Sequence, residues 1–198
     1  MNYREAVEAR RSLRSVTKNV NVGREEIIAL IEDALTYTPS GYNMQNVRLL
    51  VLFGEEHERF WNDGFETLMA GKDEQARAKT RAKFDGFQNG YGTVLFFDDM
   101  DVVNKTKEKV PNYAEAMEIW MHHGQGMMQY VIWTGLVDLG LAASIQHYNP
   151  VVDSLVQKNW DVPGNWVLRG QMPFGGPAEQ PGERRGVPAT DRYMAFGK

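Results

Sequence analysis

A chain of 198 residues, 42% hydrophobic with five Trp, nine Phe and eight Tyr, is sized for a single domain around one core. Its formal charge of −4, with acids and bases interspersed, sets up no basic surface for a nucleic-acid backbone. The absence of cysteine removes disulfides, thiolate metal sites and thiol nucleophiles.

Residues Met1 to Glu8 carry charges where a signal peptide needs an apolar core, and no run approaches the ~20 apolar residues of a membrane span. A cytoplasmic protein without nucleic-acid or membrane partners is expected. Asn2 to Ala9 reads as a short helix, and Arg10-Arg11-Ser12-Leu13-Arg14 follows at the turn where it ends. Taken alone, that cluster reads as a solvated basic helix end. Paired with a later polar turn it gains a second reading, because guanidinium forks and a hydroxyl in one region suit a phosphate monoester.

Acids in the first turn and an apolar face at Ile27, Ile28, Leu30, Ile31, Ala34 and Leu35 predict a helix from Arg24 to Tyr37. Thr38 to Gln45 is the polar turn. Pro39 sets its own φ, Ser40 and Gly41 tolerate tight geometry, and the amides of Asn43 and Gln45 suit the edge of a planar heterocycle. Val47 to Phe53, apolar except for Arg48, predicts a strand covered on both faces.

Glu55 to Ala70 and Asp73 to Phe87 read as helices, with Lys83 solvated on the second. Thr93 to Phe97 is a buried strand. Asp98, Asp99 and Asp101 lack the glycine and terminal Glu of a calcium loop and read as strand-end and capping residues. Val102 to Tyr113 is irregular surface, and Tyr113 to Met121 contributes Met117, Ile119 and Trp120.

Gly124 to Leu139 is a helix with almost no polar face, which must be buried on nearly every side. A second copy would cover it most simply, so a homodimer is expected with Ile132 and Leu136 in the interface. Gly140 is the expected left-handed cap before a strand, Leu141 to Ile145, and Pro150 is read as the first residue of a helix to Asn159. Trp166 to Met172 is a strand, and the Pro/Gly-rich tail beyond Pro177 should lie along another surface.

Conventional catalytic motifs are missing. Gly124-x-Gly126 and Gly90-x-Gly92 lack the third glycine of a dinucleotide fingerprint, and no P-loop, G-x-S-x-G elbow or H-E-x-x-H is present. Polar clusters without an acid-base or metal constellation are expected where a bound cofactor carries the chemistry.

Arg10/Ser12/Arg14, the Pro39-Ser40-Gly41-Tyr42-Asn43-Met44-Gln45 turn, the long apolar helix, Gly140 to Pro150 and Phe174-Gly175-Gly176-Pro177 with its basic tail together resemble the nitroreductase family. The resemblance implies an α+β fold, a three-layer α/β/α arrangement with a mixed sheet flanked by helices. It also implies a single domain over 1–198 and an entwined homodimer with two FMN sites built from both subunits. Arg10, Arg11, Ser12 and Arg14 would hold the phosphate, ribityl chain and pyrimidine side, with Arg184 or Arg185 a further phosphate contact. Pro39, Ser40, Gly41, Asn43 and Gln45 would line the isoalloxazine, with Gln125 from the helix side and backbone near Gln146 and His147 at the N5 and O4 edge.

NADH or NADPH would deliver hydride, and a small planar acceptor such as a nitroaromatic or quinone would take it in a ping-pong cycle. No side chain is assigned a catalytic role. Gln45-Asn46-Val47 and Gln146-His147-Tyr148 depart from the common family pattern. They resemble a compact fungal and bacterial subgroup linked to lipid signalling or oxidative and metal stress. A flavin-binding regulatory or stress-response protein with little turnover is the alternative, and a flavin-free α/β interaction domain the third reading.

Overall fold

The computed structural model describes residues 1–197. In chain order the elements are α1 (Tyr3–Ala9), β1 (Val16–Thr17), α2 (Arg24–Tyr37), β2 (Val47–Phe53), α3 (Gly54–Leu68), α4 (Glu74–Gln88) and β3 (Gly92–Asp99). They continue with α5 (Met100–Lys109), α6 (Ala114–Asp138), β4 (Ala142–Ala143), α7 (Asp153–Trp160) and β5 (Trp166–Pro177). Among the described residues, no helix is long and apolar enough to cross a membrane.

The sheet runs β1-β5-β3-β2, with β4 also pairing to β5. Its ladders are antiparallel, and among the described residues parallel pairing is confined to the bridge between Ser12 and Ala143. Side chains alternate across a strand, so β3 sends Val94 and Phe96 to one face and Leu95 and Phe97 to the other. The first pair joins Ile27, Ile31, Met128, Ile132, Leu136, Met172 and Phe174 beneath α2 and α6. The second pair joins Phe60, Trp61, Phe65, Phe84, Phe87, Val156 and Leu168 beneath α3, α4 and α7. Two cores on one sheet make the three-layer architecture.

The aromatic layer also buries a histidine. His57 Nε2 donates to the Gln88 carbonyl at 3.2 Å, which leaves Nδ1 to accept from the Thr93 hydroxyl at 2.8 Å. Thr93 Oγ1 in turn accepts from Trp61 Nε1 at 2.8 Å. Burial pushes the His57 pKa down to about 4, because the imidazolium would lose its hydration.

Several elements differ from the sequence expectation. β2 is an edge strand with most of its side chains half-buried, and the fully buried strand is β3. The segment read as irregular after Asp101 is the helix α5, started by Asp99, whose carboxylate accepts from the N–H groups of Asp101 and Val102. α6 is one helix of 25 residues and runs through His122-His123-Gly124 without a break. Ile132 and Leu136 are fully buried in their own chain's core, not in an interface. Pro150 lies in a turn, and its carbonyl accepts from Asp153 N at the start of α7. Gly140, at φ +79°, closes α6 as expected.

Candidate functional site

α6 carries two polar clusters, one toward each end. At the C-terminal half the basic corner leaves α1, and the Arg10 guanidinium stands over the Trp133 indole, 4.4 Å from Cζ to the ring centroid. Backbone pairing secures the corner to the sheet: Ser12 bridges Ala143, and Leu13 N donates to the Ala143 carbonyl at 3.2 Å. Gln146, three residues beyond Ala143, exchanges backbone hydrogen bonds with Gln171 at 2.7 and 2.9 Å and donates from Nε2 to Ser144 Oγ at 3.0 Å. The corner and the Gln146-His147 segment are therefore brought together, with the His147 side chain exposed.

The C-terminal tail runs past the same corner. Glu179 Oε1 accepts from the N–H groups of Arg14 and Ser15 at 2.9 and 3.2 Å, and Arg184 Nη2 donates to the Glu8 carbonyl at 2.6 Å. Arg11 reaches the Glu183 carbonyl at 3.5 Å. Arg184 thus clamps the tail to α1, and Arg185 beside it is exposed. Among the described residues none of Arg10, Arg11, Arg14, Arg184 and Arg185 has a carboxylate salt-bridge partner.

The polar turn sits against the N-terminal half of α6. Ser40 Oγ accepts from Gln45 N at 2.9 Å, Ser40 O from Asn43 N at 2.9 Å, and Asn43 Oδ1 from Gln45 Nε2 at 3.1 Å. This closed network holds Tyr42, Asn43 and Gln45 at positive φ, a costly geometry for non-glycine residues that clusters at functional sites. Gly41 is required by contact, since a Cβ there would stand 2.8 Å from Trp120 Cβ. Pro39, Ser40 and Gln45 line a cleft of about 160 Å³ with Thr38, Arg48 and Gly124.

Beneath the turn lies a buried polar network that sequence reading did not find. Asp98, fully buried, accepts from Asn46 Nδ2 at 2.7 Å, Gln125 Nε2 at 2.9 Å and Arg169 Nε at 2.7 Å. Gln125 also donates to the Phe97 carbonyl at 2.8 Å. It ties α6 to the sheet from inside, and its Oε1 is buried without a hydrogen-bond partner. Buried carboxylates are paired because isolated ones are strongly penalised, and that rule alone marks Asp98 in the sequence as needing partners.

Trp133 is a neighbour of the corner that sequence reading did not find, since an aromatic residue in an apolar run reads as core. Trp133 Nε1 and Tyr148 Oη are both buried with no hydrogen-bond partner, as is Thr38 Oγ1 in the cleft. Lys83 Nζ stands 5.3 Å from the Tyr148 ring centroid, so it is not simply solvated. Guanidiniums without carboxylate partners and the orphaned Trp133 Nε1 at the corner, with the exposed amides of Asn43 and Gln45 at the turn, fit a phosphorylated planar group bearing donors and acceptors. Among the described residues no cluster of three or more His, Asp or Glu is placed to hold a metal.

Trp120 and Trp133, the α6 contacts of turn and corner, are separated by about 20 Å of helix axis. At ~100° per residue, Trp120 and Gly124 stand on one flank of α6 and Trp133 on the other. Between them runs an exposed apolar stripe of Ile119, Met127, Tyr130 and Val131. Corner and turn of one chain thus contact opposite flanks of α6, nearly four turns apart.

A three-layer α+β chain with a phosphate-suited corner and an amide turn, and without its own acid-base machinery, belongs to the class that works through a bound cofactor. The chain belongs to the Nitroreductase family, whose sequence profile matches residues 7–176, and is accordingly an oxidoreductase. It is similar to the nitroreductase FRM2 of Saccharomyces cerevisiae, 31% identical over 185 residues that cover 92% of each chain. The nitroreductase CinD from Lactococcus lactis, solved in complex with nicotinic acid, is 36% identical with a TM-score of 0.91, over 99% of this chain and 100% of that one. A Desulfitobacterium hafniense nitroreductase solved with bound FMN shares the fold at 17% identity and a TM-score of 0.69, over the full length of both chains.

Proposed function

We propose that the protein is a homodimeric FMN-dependent oxidoreductase that uses NADH or NADPH to reduce small planar acceptors, nitroaromatic or quinone-like. The observation that carries the reading is the set of guanidiniums without carboxylate partners at the corner, set against a turn whose amides face outward. FMN, when bound, supplies hydride transfer through its N5 atom, first from the nicotinamide and then to the acceptor in a ping-pong cycle.

The chain's residues bind and orient. Arg10, Ser12 and Arg14 hold the phosphate and ribityl side, with Arg11, Arg184 and Arg185 adding positive potential around it. A guanidinium from Arg10 or Arg14 would place positive charge beside the pyrimidine side of the ring. Ser40, Gly41, Asn43 and Gln45, packed behind Pro39, present amide and backbone groups to the heterocycle edge. The backbone of His147 serves the same ring, held by Gln146, whose own N–H and C=O pair with Gln171.

Two copies complete the site. The α6 stripe is apolar and exposed, and corner and turn lie diagonally across it. A steep crossing of two α6 helices about a two-fold axis places the corner of one copy against the turn of the other. Flavin absorption in freshly purified protein, with NADH and NADPH oxidation followed with and without a nitroaromatic, tests the reading. Colourless protein refutes it, and flavin reduction without acceptor turnover would instead mark a binding protein.

A further inference from the structure

Beside the turn is an aromatic cluster that the flavin reading does not use. Tyr42, Tyr113 and Trp120 stand with ring centroids 5.6 to 5.8 Å apart, and Tyr42 stacks on Trp120 at an interplanar angle of 25°. Tyr42 is 53% exposed and Tyr113 49%, although rings of this size contribute most when buried. Tyr42 is held at φ 51° by the closed turn, and Gly41 fits directly against Trp120, so the exposed ring is fixed in place before anything binds.

Next to this wall is a cavity of about 330 Å³ lined by Tyr42, Asn43, Met44, Lys105, Thr106 and Lys109, with Val102 and Val110. Lys107, between the two lysines in sequence, is neutralised by Glu118 at 2.8 Å. Lys105 and Lys109 have no carboxylate partner among the described residues. They stand one turn apart on α5, where like charges repel. Lys109 at least complements the C-terminal end of the helix dipole, but Lys105 lies before the last turn and lacks that justification. In a chain of net charge −4, two ammonium groups without carboxylate partners beside a preset aromatic wall give this cavity a positive rim. Its volume suits a single substituted ring and is too small for a dinucleotide.

We propose that this cavity binds a planar aromatic carboxylate, with the ring against Tyr42 and the carboxylate toward Lys105 and Lys109. It thereby favours anionic acceptors for the oxidoreductase activity. The role as an acceptor subsite rests on the flavin reading above, whereas the binding itself does not. Asn43 links the two, because it lines this cavity and its amide oxygen holds Gln45 in the turn.

Calorimetric titration of the purified protein with 4-nitrobenzoate and with its neutral counterpart 4-nitrobenzamide tests the proposal. The carboxylate should bind roughly tenfold more tightly, the scale of one charge-assisted contact at a half-open rim. Lys105→Gln with Lys109→Gln should abolish the preference, and Lys105→Arg with Lys109→Arg should retain it. Equal affinity for the two probes, or an unchanged preference in the glutamine variant, would overturn the proposal. Flavin absorbance of the same sample separates the two readings. Colourless protein that still prefers 4-nitrobenzoate fails the flavin reading and keeps the anion site; yellow protein without the preference does the reverse.

Discussion

Arg10 and Trp133 form a cation-π pair in which the guanidinium stands over the indole at 4.4 Å from Cζ to the centroid. The contact leaves the Arg10 charge fixed in place and not neutralised, which is what a phosphate requires. Replacing Arg10 and Arg14 together with Ala removes charge-assisted bonds of about 1.5–3 kcal/mol each. The expected product is folded, colourless protein, checked by circular dichroism and flavin absorbance per chain. Stoichiometric FMN in that variant would contradict the assignment. Trp133→Leu, which removes a cation-π contact of about 1 kcal/mol along with part of the packing beneath Arg10, should weaken FMN retention at least about fivefold.

The proposed interface is testable at the exposed stripe. Tyr130→Glu or Val131→Asp should yield monomers by light scattering, and those monomers should have lost flavin. A yellow monomer would refute the shared site. Charges at Ile132 or Leu136 do not provide this test, because both side chains are fully buried within one chain and such variants should unfold it.

His57 makes stability depend on pH. Its folded pKa is depressed to about 4, so below the unfolded value near 6.5 the unfolded chain takes up a proton that the native chain does not. The contribution is intact above about pH 6.5, falls as pH drops, and is lost in full near pH 4, where it amounts to about 3 kcal/mol. Urea midpoints measured from pH 7.5 to 4.5 should decline more steeply for the natural chain than for His57→Gln. Parallel profiles would remove His57 from the account.

Asp98→Ala should destabilise the fold by about 3–5 kcal/mol, since it strands the largely buried Arg169 guanidinium and frees two buried amide donors. Urea denaturation measures the loss. Because Asn46 follows Gln45 directly, the same change should loosen the turn and raise the FMN dissociation constant. A variant as stable as the natural chain would show that the network is dispensable.

The architecture was legible where periodicity and burial agree: α2, α3, α4, β2 and β3 all appear within a residue or two of the pattern that announces them. α5 was hidden because its buried face is narrow, with Val103 its only fully buried side chain among surface lysines, although the capping carboxylate of Asp99 was visible. β2 read as fully covered because apolar composition does not distinguish an edge strand from a central one. The corner and turn were readable as local polar clusters. Their separation along α6 was not, because it follows from tertiary packing. The bond from Gln125 to Asp98 was hidden for a related reason: an amide on an apolar helix can serve a buried carboxylate or a ligand, and composition does not tell the two apart.

The rigid length of α6 between Trp120 and Trp133 has a genetic consequence under the two-copy arrangement. A subunit damaged only at the corner and a subunit damaged only at the turn are each inactive as homodimers. When they pair with one another, both lesions fall in the same composite site and the opposite site is assembled from undamaged halves. Two null alleles of these kinds should therefore complement in one cell, whereas two corner alleles should not.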